Sequence, residues 1–132
     1  MASQTVTLDT ISSTVNDNDI VLLDFWAEWC GPCRAFGPVF ERASEANPDI
    51  VFGKIDTEVE RQLAAGFGIT SIPTLIAFRE GMIVYAQPGA LGSAQLDSLI
   101  TGVRGLDMDE IRRKVAEQEQ AEAGAESESA TR

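Results

Sequence analysis

The sequence predicts an α/β protein with a central mixed β-sheet that is flanked by helices on both faces. Short apolar runs typical of buried strands alternate with segments of helical periodicity through the first half of the chain. Further on, two apolar runs are separated only by Arg79-Glu80-Gly81, which is typical of a hairpin between antiparallel strands. The first pattern favours parallel strand pairs and the second an antiparallel pair, so we expect both kinds in one sheet.

Apolar spacing and end signals place the elements in order. The run Ile20–Trp26 is almost continuously apolar, as expected of a strand that is buried on both faces of a sheet. Leu96, Leu99 and Ile100 recur at helical spacing. By these criteria we predict a helix at 9–15, a strand at 20–26, a helix that ends near 46, a strand at 50–55, a short helix at 59–67, hairpin strands at 74–78 and 82–85, and a helix at 93–103.

The chain changes character after Gly105. Asp107 and Glu110 resemble a capping box, and Glu110 with Lys114 forms an i,i+4 pair in the favourable order. We therefore predict a folded domain over residues 1–105 and a C-terminal acidic extension over residues 106–132. The extension is expected to form an extra helix over about 107–121, weakly docked or free because its apolar stripe is thin. Residues 124–132 are predicted to be a disordered tail.

Charge and composition exclude several classes of function. The chain has 10 Lys and Arg against 21 Asp and Glu, a formal net charge of −11, which disfavours nucleic acid or an anionic membrane as a partner. The segment Met1–Thr5 has no basic residue and no apolar stretch, so no secretory signal is visible. The longest apolar runs are too short to cross a bilayer. We expect a cytoplasmic protein, and a monomer.

The only two cysteines, Cys30 and Cys33, lie three positions apart in Trp29-Cys30-Gly31-Pro32-Cys33, where an apolar run ends and a helix is predicted to begin. A helix start lowers the pKa of the first thiol, and the thiolate is the form that attacks disulfides. Positions i and i+3 on a first helical turn are close enough to form a disulfide. The pattern therefore predicts a reversible two-electron redox centre.

Two other interpretations of the cysteine pair are weaker. A structural disulfide that closes only four residues would gain about 2 kcal/mol, and a chain of this length can build a core without it. The chain has no histidine and no third cysteine, so a closed four-ligand zinc site of the usual kind is excluded within one chain. In a reducing cytosol a lone CxxC is more often catalytic than structural.

Two segments resemble the signatures of the thioredoxin family. Asp24–Cys33, which reads DFWAEWCGPC, resembles the active-site segment, and Gly68–Thr74, GITSIPT, resembles the loop that contains a cis-proline. The two motifs occur in the family's order, about 40 residues apart, and the resemblance runs from about Val6 to Val103. It implies the thioredoxin fold for this part of the chain and does not extend to the residues after Gly105.

The resemblance implies a catalytic role for four residues. Cys30, with an exposed sulfur, would be the nucleophile, and the more buried Cys33 would be the resolving thiol with which it forms a disulfide. Asp24 would shuttle a proton to or from Cys33, with a pKa raised by desolvation. Lys54 on the neighbouring strand would tune Asp24. The alternative is that Asp24 is simply a buried carboxylate satisfied by Lys54.

The resemblance also implies a substrate-binding rim. Pro73 would be cis and packed against the disulfide, leaving the Ile72 backbone free to pair with an extended substrate segment. Trp26 is expected to pack beneath the loop. Two residues depart from the family pattern: Arg34 replaces the more familiar lysine, which is expected to matter little, and Pro88 lies in the rim loop, where it bears on substrate range. The implied substrate-binding residues are Trp29, Gly31, Pro32, Ile72, Pro73, Gly89 and Ala90.

The function implied by the resemblance is protein-disulfide reduction by dithiol–disulfide exchange. Such a protein maintains cytosolic thiols and cell redox homeostasis and donates electrons to target enzymes. It would bind no cofactor and would receive electrons from NADPH through thioredoxin reductase, so its partners would be that reductase and disulfide-containing proteins. Two alternatives stay open: a thiol oxidant or isomerase on the same fold, and a non-catalytic binding or holdase subunit that uses the apolar rim.

Overall fold

The computed structural model of the chain describes residues 2–130, and the side chains of residues 2–124. All the predicted helices and hairpin strands are present, together with a two-residue N-terminal strand that the sequence did not indicate. In chain order the elements are β1 (Gln4–Thr5), α1 (Ile11–Asn16), β2 (Ile20–Trp26), α2 (Gly31–Ala46), β3 (Val51–Asp56), α3 (Arg61–Gly66), β4 (Thr74–Arg79), β5 (Met82–Pro88), α4 (Ser93–Arg104) and α5 (Met108–Ala130).

The five strands form one mixed sheet in the order β1-β3-β2-β4-β5. The pairs β1–β3 and β2–β3 are parallel, whereas β2–β4 and β4–β5 are antiparallel. The mixed sheet predicted from the sequence is thus confirmed. Strand β2 lies at its centre, which explains why the run Ile20–Trp26 has so few polar residues: both faces of the strand are covered.

A hydrophobic core covers each face of the sheet, because side chains alternate along β2. Leu22 points to the face that packs against Phe36 and Phe40 of α2 and Leu96 of α4. Leu23 points to the other face, which packs against α1 and α3. Helices therefore flank the sheet on both faces, as predicted.

The cysteine loop and the β4–β5 turn lie at opposite ends of the sheet. Phe25 pairs with Thr74 near the carboxyl end of β2, whereas Ile20 pairs with Arg79 at the other end. The loop that carries the cysteines follows the carboxyl end of β2. The β4–β5 turn lies at the opposite end of the sheet, where Glu80 and Gly81 both have positive φ, as tight hairpin turns require.

Helix α5 differs from its prediction in length. It runs to Ala130 rather than ending near residue 121, because alanine, glutamate and glutamine favour the helix and acidic residues occupy its first turn. Of the two predicted alternatives, weakly docked or free, the helix is docked at its start, since Met108 is buried and Arg112 forms an ion pair with Glu80. The disorder expected of residues 124–132 stays a prediction for the protein in solution, and residues 131 and 132 lie outside the described part.

Within residues 2–130, no helix is both long and apolar enough to cross a lipid bilayer.

The fold predicts that Gly53 of β3 cannot be replaced by a larger residue without loss of stability. A Cβ at this position would lie 2.6 Å from Val6 Cγ2 and 2.9 Å from Leu23 Cδ2. We expect Gly53→Ala to lower the free energy of unfolding by about 1–3 kcal/mol through overpacking. Urea denaturation of the oxidised protein measures this change.

The matched control is Gly102→Ala in α4, where a Cβ would have no heavy atom within 4 Å. Because alanine favours a helix over glycine, this variant should gain about 0.5–1 kcal/mol. Equal stability of Gly53→Ala and the unchanged protein would mean that the sheet and β1 pack differently from the arrangement described.

Candidate active site

The two cysteines form a disulfide at the amino terminus of α2. The S–S distance is 2.35 Å and the two Cα atoms lie 5.2 Å apart. Cys30 is the cap residue of the helix, with extended backbone, and its Sγ accepts a hydrogen bond of 3.2 Å from the Cys33 N–H. Pro32 lies in the first turn, where a missing N–H leaves no helix carbonyl unsatisfied. The expected pairing is confirmed, and the structure is that of the oxidised protein.

The two cysteines do not differ in burial in the way the sequence predicted. Cys30 is 3% exposed and Cys33 is 5% exposed, so the expectation of an exposed Cys30 beside a more buried Cys33 is wrong for this oxidised form. Cys30 is covered because it packs with Ala27 and Ile72, and its Sγ lies 3.8 Å from the Ile72 carbonyl oxygen.

What distinguishes the two cysteines is the side of the loop that each one faces. Cys30 lines an open groove of about 560 Å³ together with Trp29 and Ile72. Cys33 lines a second cavity, of about 570 Å³, together with Lys54 and Trp26. A substrate disulfide placed in the first groove therefore meets Cys30, while Cys33 lies on the side that leads to Lys54.

Asp24 is a buried carboxyl group in the centre of the sheet. It is 1% exposed, and among the described residues neither of its carboxylate oxygens has a hydrogen-bond partner. Burial raises the pKa of Asp24 to about 7, and the positive charge of Lys54 opposes that rise. Asp24 lies two residues after Leu22 and so on the same face of β2, the face that packs against α2.

Lys54 lies beside Asp24 on the neighbouring strand but makes no hydrogen bond to it. The two residues are register partners on β3 and β2, yet no hydrogen bond joins them in the described part of the chain. The Lys54 Nζ instead lies 4.8 Å from the centroid of the Trp26 ring, within cation–π range. The interpretation of Asp24 as a carboxylate simply neutralised by a bonded lysine is therefore wrong, and Trp26, expected only to pack, also contacts Lys54.

The loop before β4 faces the disulfide from the other side. The Ile72–Pro73 peptide bond is cis, as the resemblance implied. The Pro73 carbonyl accepts a hydrogen bond of 2.8 Å from the Gly89 N–H, which joins this loop to the end of β5. In residues 2–130 neither the N–H nor the C=O of Ile72 makes a backbone hydrogen bond. The backbone beside Cys30 is thus available to an extended chain.

The structure brings four of the predicted rim residues into the groove with Cys30: Trp29, Gly31, Pro32 and Ile72. The other three do not line it, since Pro73 is buried, and Gly89 and Ala90 are exposed on the neighbouring loop. The groove is also longer than predicted. Its further lining residues, which come from the segment after β3, from α3 and from the loop before β4, are Thr57, Arg61, Ala64, Ala65, Ile69, Thr70 and Ser71.

A sequence signal existed for part of this longer groove. Ile69, Thr70 and Ser71 lie within the second motif, GITSIPT, beside the predicted Ile72. Thr57 follows the carboxyl end of β3, the edge at which parallel sheets place their binding sites. The α3 residues carry no such signal.

Trp29 is an exposed lid over the groove and not a core residue. Its side chain is 66% exposed, and its indole Nε1–H donates a hydrogen bond of 3.0 Å to Glu58 Oε1. The other oxygen of Glu58 lies 3.5 Å from Nη2 of Arg61. The orientation of the indole is therefore coupled to two charged side chains in the segment that follows β3.

The two residues that depart from the family pattern, Arg34 and Pro88, line different cavities. Arg34 donates two hydrogen bonds to the Glu28 carbonyl, of 3.0 Å from Nε and 2.8 Å from Nη2. A lysine would keep the charge but lacks this planar pair of donors. Pro88 ends β5 and lines a small groove with Thr70 and Ser71, next to the main one. The consequence of either residue for catalysis stays a prediction.

Among the described residues, no three Cys, Asp or Glu side chains come together as a candidate metal-binding set.

Comparison with known proteins gives one consistent answer. Residues 2–102 match the family model described as Thioredoxin. A Streptomyces coelicolor protein assigned as thioredoxin 2 is 60% identical over 119 residues, 90% of this chain and 88% of the relative. The thioredoxin of Alicyclobacillus acidocaldarius is 37% identical over 103 residues, 77% of this chain and 98% of the relative.

Solved structures agree with the sequence relatives. A mutant thioredoxin from Halobacterium salinarum superimposes with a TM-score of 0.74 at 34% identity, covering 80% of this chain and 94% of that one. Thioredoxin f from spinach chloroplast superimposes with a TM-score of 0.72 at 31% identity, covering 79% of this chain and 96% of that one.

The C-terminal extension has a counterpart in one of these relatives. A match of 119 residues within a chain of 132 must reach residue 119 or beyond wherever it begins, so the Streptomyces relative shares part of α5. Within the family, proteins of this kind need no bound cofactor and act with thioredoxin reductase and with disulfide-containing proteins. By sequence, fold and cysteine geometry, the chain belongs to the thioredoxin family of thiol–disulfide oxidoreductases.

Proposed function

We propose that the protein reduces disulfides in other proteins, with Cys30 as the nucleophile and Cys33 as the resolving thiol. The observation that carries the proposal is the position of the Cys30–Cys33 disulfide, at a helix amino terminus and at the edge of an open groove. Free N–H groups and the helix dipole at that terminus favour a thiolate at Cys30 once the disulfide is reduced.

The reaction proceeds in two exchanges. The Cys30 thiolate attacks one sulfur of the substrate disulfide, and the other sulfur leaves and takes up a proton. Cys33 then loses its proton and attacks Cys30 in the resulting mixed disulfide, which releases the second substrate thiol. The substrate gains two electrons and two protons, and the protein ends with the Cys30–Cys33 disulfide.

Asp24 is proposed as the group that exchanges the proton of Cys33. A carboxyl group with a pKa of about 7 can both accept and return a proton near neutrality. It lies on the face of β2 that packs against α2, and its oxygens have no other partner among the described residues. Lys54 tunes Asp24, because its positive charge keeps the pKa from rising further.

The substrate is proposed to bind as an extended segment beside Ile72. Its backbone pairs with the unengaged N–H and C=O of Ile72, which makes binding tolerant of substrate sequence. Trp29, Gly31 and Pro32 supply the apolar side of the groove. We assign supporting roles to the remaining predicted rim residues: Pro73 positions Ile72, and Gly89 and Ala90 form the neighbouring loop that is bonded to Pro73.

In the cell we propose a cytoplasmic monomer that receives electrons from NADPH through a thioredoxin reductase and passes them to target enzymes. Support for the redox partners comes from the family to which the chain belongs. The net charge of −11 supports the expectation that neither nucleic acid nor an anionic membrane is a partner.

The direct test is the reduction of insulin with NADPH and a thioredoxin reductase. The unchanged protein should turn over continuously. Cys33→Ser should instead accumulate a covalent complex through Cys30, because the resolving thiol is missing, and Cys30→Ser should neither turn over nor trap. Non-reducing electrophoresis and mass spectrometry identify the trapped bond.

Three results would overturn the assignment. Normal turnover by Cys33→Ser would contradict the role of Cys33 as resolving thiol. A protein whose disulfide is readily reduced in equilibrium with glutathione, and which fails to reduce insulin, would be an oxidant, the first alternative. Full biological activity of a Cys30→Ser/Cys33→Ser protein would favour a binding subunit.

The raised pKa of Asp24 predicts how stability depends on pH. Between the unfolded pKa, near 3.8, and the folded pKa, about 7, the native state holds a proton that the unfolded state has lost, so stability falls as pH rises through this window. Asp24→Asn removes the titration. The stability advantage of this variant over the unchanged protein should therefore grow by roughly 3 kcal/mol from about pH 5 to about pH 8.

This comparison uses urea denaturation of the oxidised proteins, since disulfide-bonded cysteines do not titrate. Asp97→Asn, which changes an exposed aspartate in α4, is the control and should show no comparable trend. If the stability advantage of Asp24→Asn over the unchanged protein is the same at every pH, the Asp24 carboxyl group has an ordinary pKa in the folded protein.

We propose that residues 1–105 carry the chemistry and that residues 106–132 form a separate acidic extension. In support, α5 contacts Glu80 in the β4–β5 turn, at the end of the sheet opposite the disulfide. Truncation after Gly105 should leave kcat/KM for insulin nearly unchanged. It should lower the free energy of unfolding by roughly 1–2 kcal/mol, since Met108 loses its burial.

Insulin reduction and thermal denaturation of the truncated chain measure the two effects. A loss of about tenfold or more in kcat/KM, equivalent to about 1.4 kcal/mol in the barrier, would show that the extension acts at the redox site or on a partner.

A further inference from the structure

We propose that Arg61 makes this protein select disulfides that have an acidic residue nearby in the substrate chain. The inference rests on the proposed function, because it concerns the substrate that the groove beside Cys30 accepts. It adds a determinant of specificity to a site in which binding through the substrate backbone alone would not distinguish one sequence from another.

The groove contains a single charge of its own. Among the described residues that line it, Arg61 is the only charged one, and the others are apolar, small or hydroxyl-bearing. A substrate segment that lies along the groove therefore meets one charged protein group directly, and that group is positive. A carboxylate is its complement, and a guanidinium can bind one through two parallel hydrogen bonds.

Arg61 is available for such a contact. It is the first residue of α3, and its side chain is 81% exposed. Its present partners are both from Glu58: the backbone carbonyl lies 3.3 Å from Nε, and the carboxylate lies 3.5 Å from Nη2. Exposed ion pairs of this kind contribute little, so exchange of Glu58 for a substrate carboxylate costs little.

Glu58 retains a partner if Arg61 turns to the substrate. Its Oε1 accepts the hydrogen bond of 3.0 Å from Trp29 Nε1, and this contact does not involve Arg61. Glu58 does not line the groove. The lid residue Trp29 can therefore keep its orientation while the guanidinium binds the substrate, and Glu58 does not offer a basic substrate residue an equivalent place inside the groove.

The net negative charge of the rest of the molecule opposes the binding of an acidic substrate segment at long range. A net charge of −11 repels an acidic segment as it approaches, whereas Arg61 acts only on contact. The preference should therefore be modest, about two- to fivefold, the size typical of an exposed ion pair.

The test uses extended peptides with one cysteine, held as a mixed disulfide with 2-mercaptoethanol, which is neutral. Glu, Gln or Lys occupies the position two residues before or two residues after that cysteine. In an extended chain these positions lie on the same face as the cysteine, and so towards the groove. The reduced protein supplies both electrons and becomes the Cys30–Cys33 disulfide, while the peptide and 2-mercaptoethanol leave as thiols.

The measured quantity is the second-order rate constant for oxidation of the reduced protein by the Glu peptide divided by that for the Gln peptide, taken separately for each protein variant. For the unchanged protein we expect a ratio of about two to five in at least one of the two positions, and a ratio below one for Lys over Gln. Arg61→Gln should bring both ratios to about one, Arg61→Glu should invert them, and Arg61→Lys should keep part of the preference because it keeps the charge.

The matched control is Arg42→Gln, which removes an equal charge from an exposed position of α2 outside the groove. This variant should keep the ratios of the unchanged protein. The preference should also shrink as ionic strength rises from about 0.01 to about 1 M, since an exposed pair is screened.

The outcomes separate this inference from the function on which it rests. If the unchanged protein fails to reduce the neutral Gln peptide at all, the proposed function fails. If it reduces that peptide but shows no preference for Glu at either position, or keeps the preference in Arg61→Gln, the role of Arg61 is refuted. If the Glu preference is lost in Arg42→Gln as well as in Arg61→Gln, overall charge is its cause, and the role of Arg61 is equally refuted.

Discussion

The redox centre depends on the junction between β2 and α2. Strand β2 is held between β3 and β4 in the middle of the sheet, and α2 is held against the same sheet by Phe36 and Phe40. Four residues after the strand ends, Cys30 caps the helix, and its Cα lies 5.2 Å from that of Cys33. Packing on both sides of the loop thus keeps two thiols within bonding reach while it aims helix N–H groups at the first of them.

The same packing buries Asp24, which lowers stability when the carboxyl group ionises and raises its pKa. A carboxyl group without hydrogen-bond partners destabilises the folded protein whenever it ionises, because burial has removed its hydration. That penalty is also what brings its pKa to about 7, the value on which its proposed proton exchange with Cys33 depends. Since Lys54 lies against Trp26 rather than bonded to Asp24, its charge moderates the penalty without abolishing it.

Local signals in the sequence predicted strands β2 to β5, the cysteine pair and, through family resemblance, the cis peptide before Pro73, but not the short strand β1. They did not predict the burial of Cys30, which depends on Ile72, 42 positions away in the chain. Arg61 was missed for the same reason, because only the tertiary fold brings α3 beside the disulfide. The length of α5 was underestimated because charged residues and alanine are common both in disordered tails and in helices. Composition alone therefore does not distinguish the two.

The central claim is that Cys30 reacts as a thiolate near neutral pH while Cys33 stays a thiol. Alkylation of the reduced protein with iodoacetamide, followed by mass spectrometry at each residue from about pH 5 to about pH 10, tests it most directly. We predict that at pH 7 Cys30 reacts much faster than free cysteine, whose ordinary pKa is about 8.5, and that Cys33 is modified only at higher pH. A Cys30 that reacts no faster than free cysteine, or a Cys33 that reacts first, would contradict the account.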